Sequence, residues 1–136
     1  MDFLAFSLSG FDDFLLYFGL SAGFLAVFLA IYVRVTPYRE LQLIRDGNAA
    51  AAASLSGTLI GYTLPLASAV IHSINPWDMM LWAAIALVVQ ILVFVAVRLM
   101  LPHLARDITE GKVAAGVFLA AASLAAGIIN AACMTY

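Results

Sequence analysis

Two sets of residues in this chain have side chains that could do chemistry. One is a group of soft donors: His72, Met79, Met80, Cys133 and Met134, which fall at corresponding ends of three apolar segments. Imidazole and sulfur ligands suit Cu(I). Their spacing is not that of a tight metal motif, and methionine is common packing material in helices. No metal and no cofactor is therefore expected, although whether His72, Cys133 and Met134 hold an ion is left open by the sequence. The other set is polar. It comprises Ser54, Gly57, Thr58, Gly61, Tyr62 and Pro65 in the stretch SLSGTLIGYTLPLAS, with Gln90, Ser123, Gly127 and Asn130 further along. There is no G-x-S-x-G, no H-E-x-x-H, no phosphate loop and no pair of carboxylates in an apolar segment, so an enzyme is not expected.

The polar set admits two uses. At 3.6 residues per turn, Ser54, Gly57, Gly61, Pro65, Ser68 and His72 share one helix face, flanked by Thr58 and Tyr62. A matching stripe runs through Gly116, Ala120, Ser123, Gly127, Asn130 and Met134, and Gly19 and Gly23 form a third, shorter one. In lipid no hydrophobic drive pulls helices together, and small residues let two backbones approach closely. These faces are thus read first as packing faces, those of spans two and four driving association into a homodimer or higher oligomer. The other use is a polar crevice or small conduit at the level of Tyr62, Gln90 and Asn130. There Pro65 would free a backbone carbonyl. Ion-coupled carriers usually keep an ionisable residue within the membrane. None of the apolar segments holds Asp, Glu, Lys or Arg, which weighs against a carrier.

Those segments fix the fold class. Of 136 residues, 65% are hydrophobic and 10% charged, with a mean hydropathy of +1.08; soluble domains carry roughly 25% charged residues. A soluble surface cannot be covered with so few polar groups. Four windows, 14–33, 49–72, 79–97 and 113–133, are free of these charges, and about 20 apolar residues in helix cross a bilayer. The fold is read as an all-α membrane protein with four transmembrane helices in a single integral domain over 1–136. The net charge of −2 comes with no dense basic patch, so no nucleic-acid partner is expected. One cysteine excludes an intrachain disulfide. The N-terminus has no Lys or Arg before the first span, so it is not read as a cleaved signal.

The six basic residues set the orientation. Arg34, Arg39 and Arg45 lie between spans one and two, and Arg98, Arg106 and Lys112 between spans three and four. Short loops rich in Lys and Arg stay cytoplasmic, so both termini are expected to face out, away from the cytoplasm. Tyr17, Trp77, Trp82 and Tyr136 then fall near the outer surface, and Tyr32 and Tyr38 near the inner one, as interfacial rings. Each cytoplasmic loop carries a proline that ends or kinks the span before it, Pro37 and Pro102, and a glycine suited to a cap, Gly47 and Gly111. Leu41, Leu43, Ile44 and Arg45 suggest a short amphipathic turn against headgroups. The loops serve as interfacial connectors or as a docking surface for a soluble cytoplasmic partner.

The two halves resemble each other at a shift of 64 residues: Val33-Arg34 falls on Val97-Arg98, Ile44 on Ile108, and DGNAAA on EGKVAA. This is read as two tandem parallel-repeat helical hairpins, 14–72 and 79–136, related by an axis along the membrane normal.

At TPYRELQLIRDGNAAAAASLSGTLIGYTLPLASAV, WAAIALVVQILVFVAVRLMLP and GIINAACMTY the chain resembles the YjfL-type bacterial inner-membrane family, whose domain has no known function. The resemblance runs from about Phe14 to Tyr136. It implies a bacterial inner membrane, paired two-span units and a link to envelope maintenance, and it supplies no reaction, ligand or catalytic residue. The function expected is that of an oligomeric membrane-embedded assembly or docking module, the alternative being a small homo-oligomeric channel or carrier.

Overall fold

The computed structural model describes residues 2–134, so Tyr136 lies outside the described residues. The fold is all-α: α1 (Asp2–Leu8), α2 (Phe11–Val35), α3 (Glu40–Arg45), α4 (Ala49–His72), α5 (Pro76–Met100), α6 (Leu104–Thr109) and α7 (Val113–Ala132). Helices α2, α4, α5 and α7 are the four spans. The 24 residues of α4 reach about 36 Å at 1.5 Å per residue, enough for a hydrocarbon core of about 30 Å. The chain is thus an integral membrane protein with four transmembrane helices.

The helix ends are written in local chemistry. Asn48 Oδ1 accepts from Ala51 N at 2.9 Å and caps α4. Asn75 Oδ1 accepts from Asp78 N at 2.8 Å, and Pro76 opens α5, where a missing N–H costs nothing. Pro37 and Pro102 each stand two residues beyond the end of a span, α2 or α5.

Gly47 and Gly111 close the short helices before them rather than opening the spans after them. Their φ angles are 85° and 80°, the left-handed region that glycine enters without strain. After α3, Gly47 N donates to Ile44 O and Asn48 N to Leu43 O. After α6, Gly111 N donates to Ile108 O and Lys112 N to Asp107 O. This is the Schellman pattern, and its two copies stand 64 residues apart, as the matched sequence segments do.

Helix α4 is the centre of the bundle and packs against α7, α5 and α2, the α4–α7 interface being the most extensive. Helix α2 is attached mainly through its C-terminal half. Its buried residues are Phe28 and Tyr32. Phe28 stacks on Tyr62 with ring centroids 4.5 Å apart, and Tyr32 meets Phe94 edge-on at 5.4 Å. Tyr32 and Tyr38 are therefore packed in the core rather than exposed as interfacial rings would be. Trp77, by contrast, is exposed at the start of α5.

Candidate functional site

The small residues of α4 and α7 meet each other. Gly116 lies on the Ala50 backbone, Gly57 on Ala120, and Gly61 on Ser123 and Gly127. Contact positions rise together along both helices, so α4 and α7 run parallel. A Cβ at Gly127 would collide with the Gly61 carbonyl, and one at Gly57 with Ala120. The α4 and α7 faces expected to bind another copy are thus consumed within one chain, because these backbones approach each other too closely to admit a third helix. Among the glycines of the spans, those that remain uncovered are on α2: a Cβ at Gly19 or Gly23 would meet nothing within 4 Å.

Buried polar side chains are threaded along this interface. At the N-terminal end of α4, Asn48 uses its carbonyl oxygen to cap the helix while its Nδ2 donates to Ile108 O at 2.8 Å, tying α4 to the end of α6. One turn into α4, Ser54 Oγ donates to Ala51 O at 3.0 Å. Thr58 Oγ1 donates to Ser54 O at 2.8 Å and lies 3.2 Å from Ser123 Oγ and 3.4 Å from Tyr32 Oη. At mid-span, Gln90 Nε2 reaches across from α5 to Gly61 O at 3.1 Å and Ser123 O at 3.3 Å. Pro65 has no N–H to offer the carbonyl four residues before it, which is that of Gly61. The carbonyl that proline frees is the one Gln90 takes. Tyr62 Oη donates to Ala83 O at 3.0 Å.

The expected polar level thus resolves into ties between helices. Tyr62 and Gln90 come together around the α4 backbone, and Gln90 is fully buried. Asn130 lies apart from them, half-buried near the C-terminal end of α7 with its Nδ2 lacking a hydrogen-bond partner. Ser68 Oγ donates to Ala131 O at 3.0 Å, a last tie between α4 and α7.

Among the soft donors, Met79 and Met134 are packed in the core and Cys133 is exposed. His72 sits at the end of α4, where its Nδ1 lies 3.0 Å from Ser68 O of the same helix. The six basic side chains all face outward. Lys112 pairs with Asp107 at 3.3 Å, and Arg106 lies 3.8 Å from Glu110. Arg34, Arg39, Arg45 and Arg98 form no ion pair among the described residues.

One buried group was not among the sequence candidates. Between α2 and α4 the chain alternates: Thr36, Tyr38 and Glu40 point inward, while Pro37, Arg39 and Leu41 point outward. Glu40 is 1% exposed. The interfacial turn expected from Leu41, Leu43 and Ile44 exists as α3, but the residue it buries is its acid, while Leu41 is exposed along with Gln42 and Arg45. The Tyr38 hydroxyl interacts with the Glu40 carboxyl, yet neither carboxyl oxygen has a well-formed hydrogen bond. Burial pushes the Glu40 carboxyl up to about 8, against a smaller lowering by Tyr38. Burial also raises Tyr38, with Tyr32 and Glu40 adding to the effect. Residues 36–41 alternate in burial but not in polarity, with Thr, Tyr and Glu inward and Pro, Arg and Leu outward, so no periodicity in the sequence marks Glu40 as buried. The arginines at 39 and 45 instead mark the segment as a headgroup-facing loop.

Away from the core, α2 and α4 diverge around an apolar cleft of about 400 Å³ lined by Phe18, Ala22, Leu25, Leu66 and Val70, among others. It is open to the side, towards lipid.

Comparison with known proteins sets this arrangement in a family. The chain is 48% identical over 120 residues to the UPF0719 inner membrane protein YjfL of Escherichia coli (strain K12), covering 88% of this chain and 91% of that one. The protein of the same name from Escherichia coli O157:H7 matches equally well. No solved structure matches. The family model described as Domain of Unknown Function (DUF350) covers residues 5–134, and the chain belongs to that family.

Proposed function

We propose that this protein is a membrane-embedded assembly module of a bacterial inner membrane, joined to further copies of itself through α2. The observation that carries the reading is the contrast between glycine faces. Those of α4 and α7 are filled within the chain, while the Gly19–Gly23 face of α2 is bare beside a shallow groove lined by Leu20, Phe24 and Val27. A backbone that can approach another closely, left facing lipid, is the element best suited to helix association. The bundle core supports a non-catalytic role, because most of its buried polar groups are engaged in holding helices together. The link to envelope maintenance rests on the family resemblance alone.

The two connectors share one backbone pattern, and α4 and α7 run parallel. Both features support duplication of a two-span hairpin. The outward-facing arginines support an orientation with both connectors in the cytoplasm and both termini in the periplasm, and they offer Arg39 and Arg45 to a soluble partner. Single-cysteine scanning of α2 in a Cys133→Ala background tests the assembly. Disulfide crosslinks in native membranes should recur at the spacing of Gly19 and Gly23, and Gly19→Leu with Gly23→Leu should abolish them. Uniform or absent crosslinking along α2 rejects the interface. A terminal tag accessible only from the cytoplasm rejects the orientation. Solute flux through liposomes holding the protein would favour the channel reading instead.

A further inference from the structure

The segment joining α2 to α4 folds an acid beneath the bundle. Glu40 is 1% exposed. The titratable groups that interact with it are Tyr38, from its own connector, and Tyr32, from α2. Among the described residues no Lys, Arg or His forms an ion pair with Glu40. Arg39 and Arg45, its neighbours in sequence, face outward. Helix α4 contributes Ser54, whose hydroxyl interacts with Tyr38, and Thr58, which lies 3.4 Å from Tyr32 Oη. Neither carboxyl oxygen of Glu40 has a well-formed hydrogen bond. A carboxylate anion in such a place would be a buried charge with no cation and few donors, an arrangement that proteins avoid by keeping the proton.

We propose that Glu40 is a proton-binding site at the inner boundary of the membrane, holding its proton at neutral pH and releasing it to the cytoplasm when that compartment turns alkaline. The bond broken is the carboxyl O–H, and water or hydroxide on the cytoplasmic side takes the proton. The site interacts electrostatically with Tyr32, whose hydroxyl lies 3.4 Å from Thr58 Oγ1 where α2 and α4 meet. Burial sets the expected midpoint at about 8, well above the ordinary glutamate value of 4.5. The inference stands apart from the assembly reading, since it concerns one chain and no interface; only the side to which the proton leaves rests on the proposed orientation.

Infrared difference spectroscopy of the protein reconstituted in lipid tests it. The wild type should show a protonated-carboxyl C=O band at neutral pH that disappears on alkaline titration with a midpoint near 8. Glu40→Gln should lack the band at neutral and alkaline pH, where the other carboxyls are ionised. Tyr38→Phe should shift the midpoint upward, because the lost hydroxyl favours the charged form; a merely structural role for Tyr38 would not move it. If the wild type has no such band at neutral pH, or if Glu40→Gln retains it, the proposal is wrong. Should Glu40→Gln fail to fold, the wild-type titration and the Tyr38→Phe shift decide by themselves.

Discussion

Gln90 donates from α5 to the carbonyl oxygen of Gly61 in α4, at 3.1 Å, and that carbonyl is the one Pro65 deprives of its helical donor. A helix-breaking residue at mid-membrane is tolerated because a side chain from a neighbouring helix re-satisfies the freed group. The same amide also reaches Ser123 O of α7 at 3.3 Å, so one side chain joins three spans.

Gln90→Leu should therefore destabilise the bundle by about 1–3 kcal/mol, the cost of an unsatisfied buried carbonyl. In a Pro65→Ala background, the substituted backbone supplies an N–H to Gly61 O, and the same change should cost less. A double-mutant cycle of unfolding in mixed micelles measures the coupling. Equal costs in both backgrounds would show that Gln90 does not serve the carbonyl freed by Pro65.

Gly127→Ala should lower stability by about 1–3 kcal/mol, since its new Cβ meets backbone and α7 must shift away from α4. Gly19→Ala should leave the fold of the chain unaffected, because its Cβ enters open space. Thermal unfolding of the two variants in the same detergent distinguishes a filled interface from a bare one.

Asn48 has two duties that substitution can separate. Asn48→Asp keeps the acceptor that caps α4 but loses the donor to Ile108 O, whereas Asn48→Ala loses both. Cap removal costs about 0.5–2 kcal/mol. The order of stability should be wild type, then Asn48→Asp, then Asn48→Ala. An Asp variant as stable as wild type would show that the tie to α6 contributes nothing.

Stability should fall as pH rises from about 4.5 to about 8, because the folded chain holds the Glu40 proton more tightly than the unfolded one. Below that window the carboxyl is protonated in both states, and above it in neither, so the contribution is level on each side. The slope due to Glu40 has a ceiling of about 1.4 kcal/mol per pH unit. Glu40→Gln should remove that slope and leave the variant the more stable one in alkali. Unfolding curves across the window, wild type against variant, check it. Parallel curves would mean that Glu40 titrates normally.

Sequence alone determined where the chain meets lipid. A window of charge-free residues long enough for the hydrocarbon core can satisfy its backbone only as a helix, and 49–72 proved to be α4 to the residue. Capping and turn chemistry is just as local, which is why Pro37, Pro102, Gly47 and Gly111 were legible as punctuation. Which glycine face meets which could not be read, because Gly19, Gly57 and Gly116 are alike in composition and only packing tells a filled groove from an open one. Nor could the place of Glu40 be read. Whether a carboxyl beside two arginines faces water or the bundle depends on how the connector folds back beneath α2 and α4, and that long-range contact has no local signature strong enough to betray it.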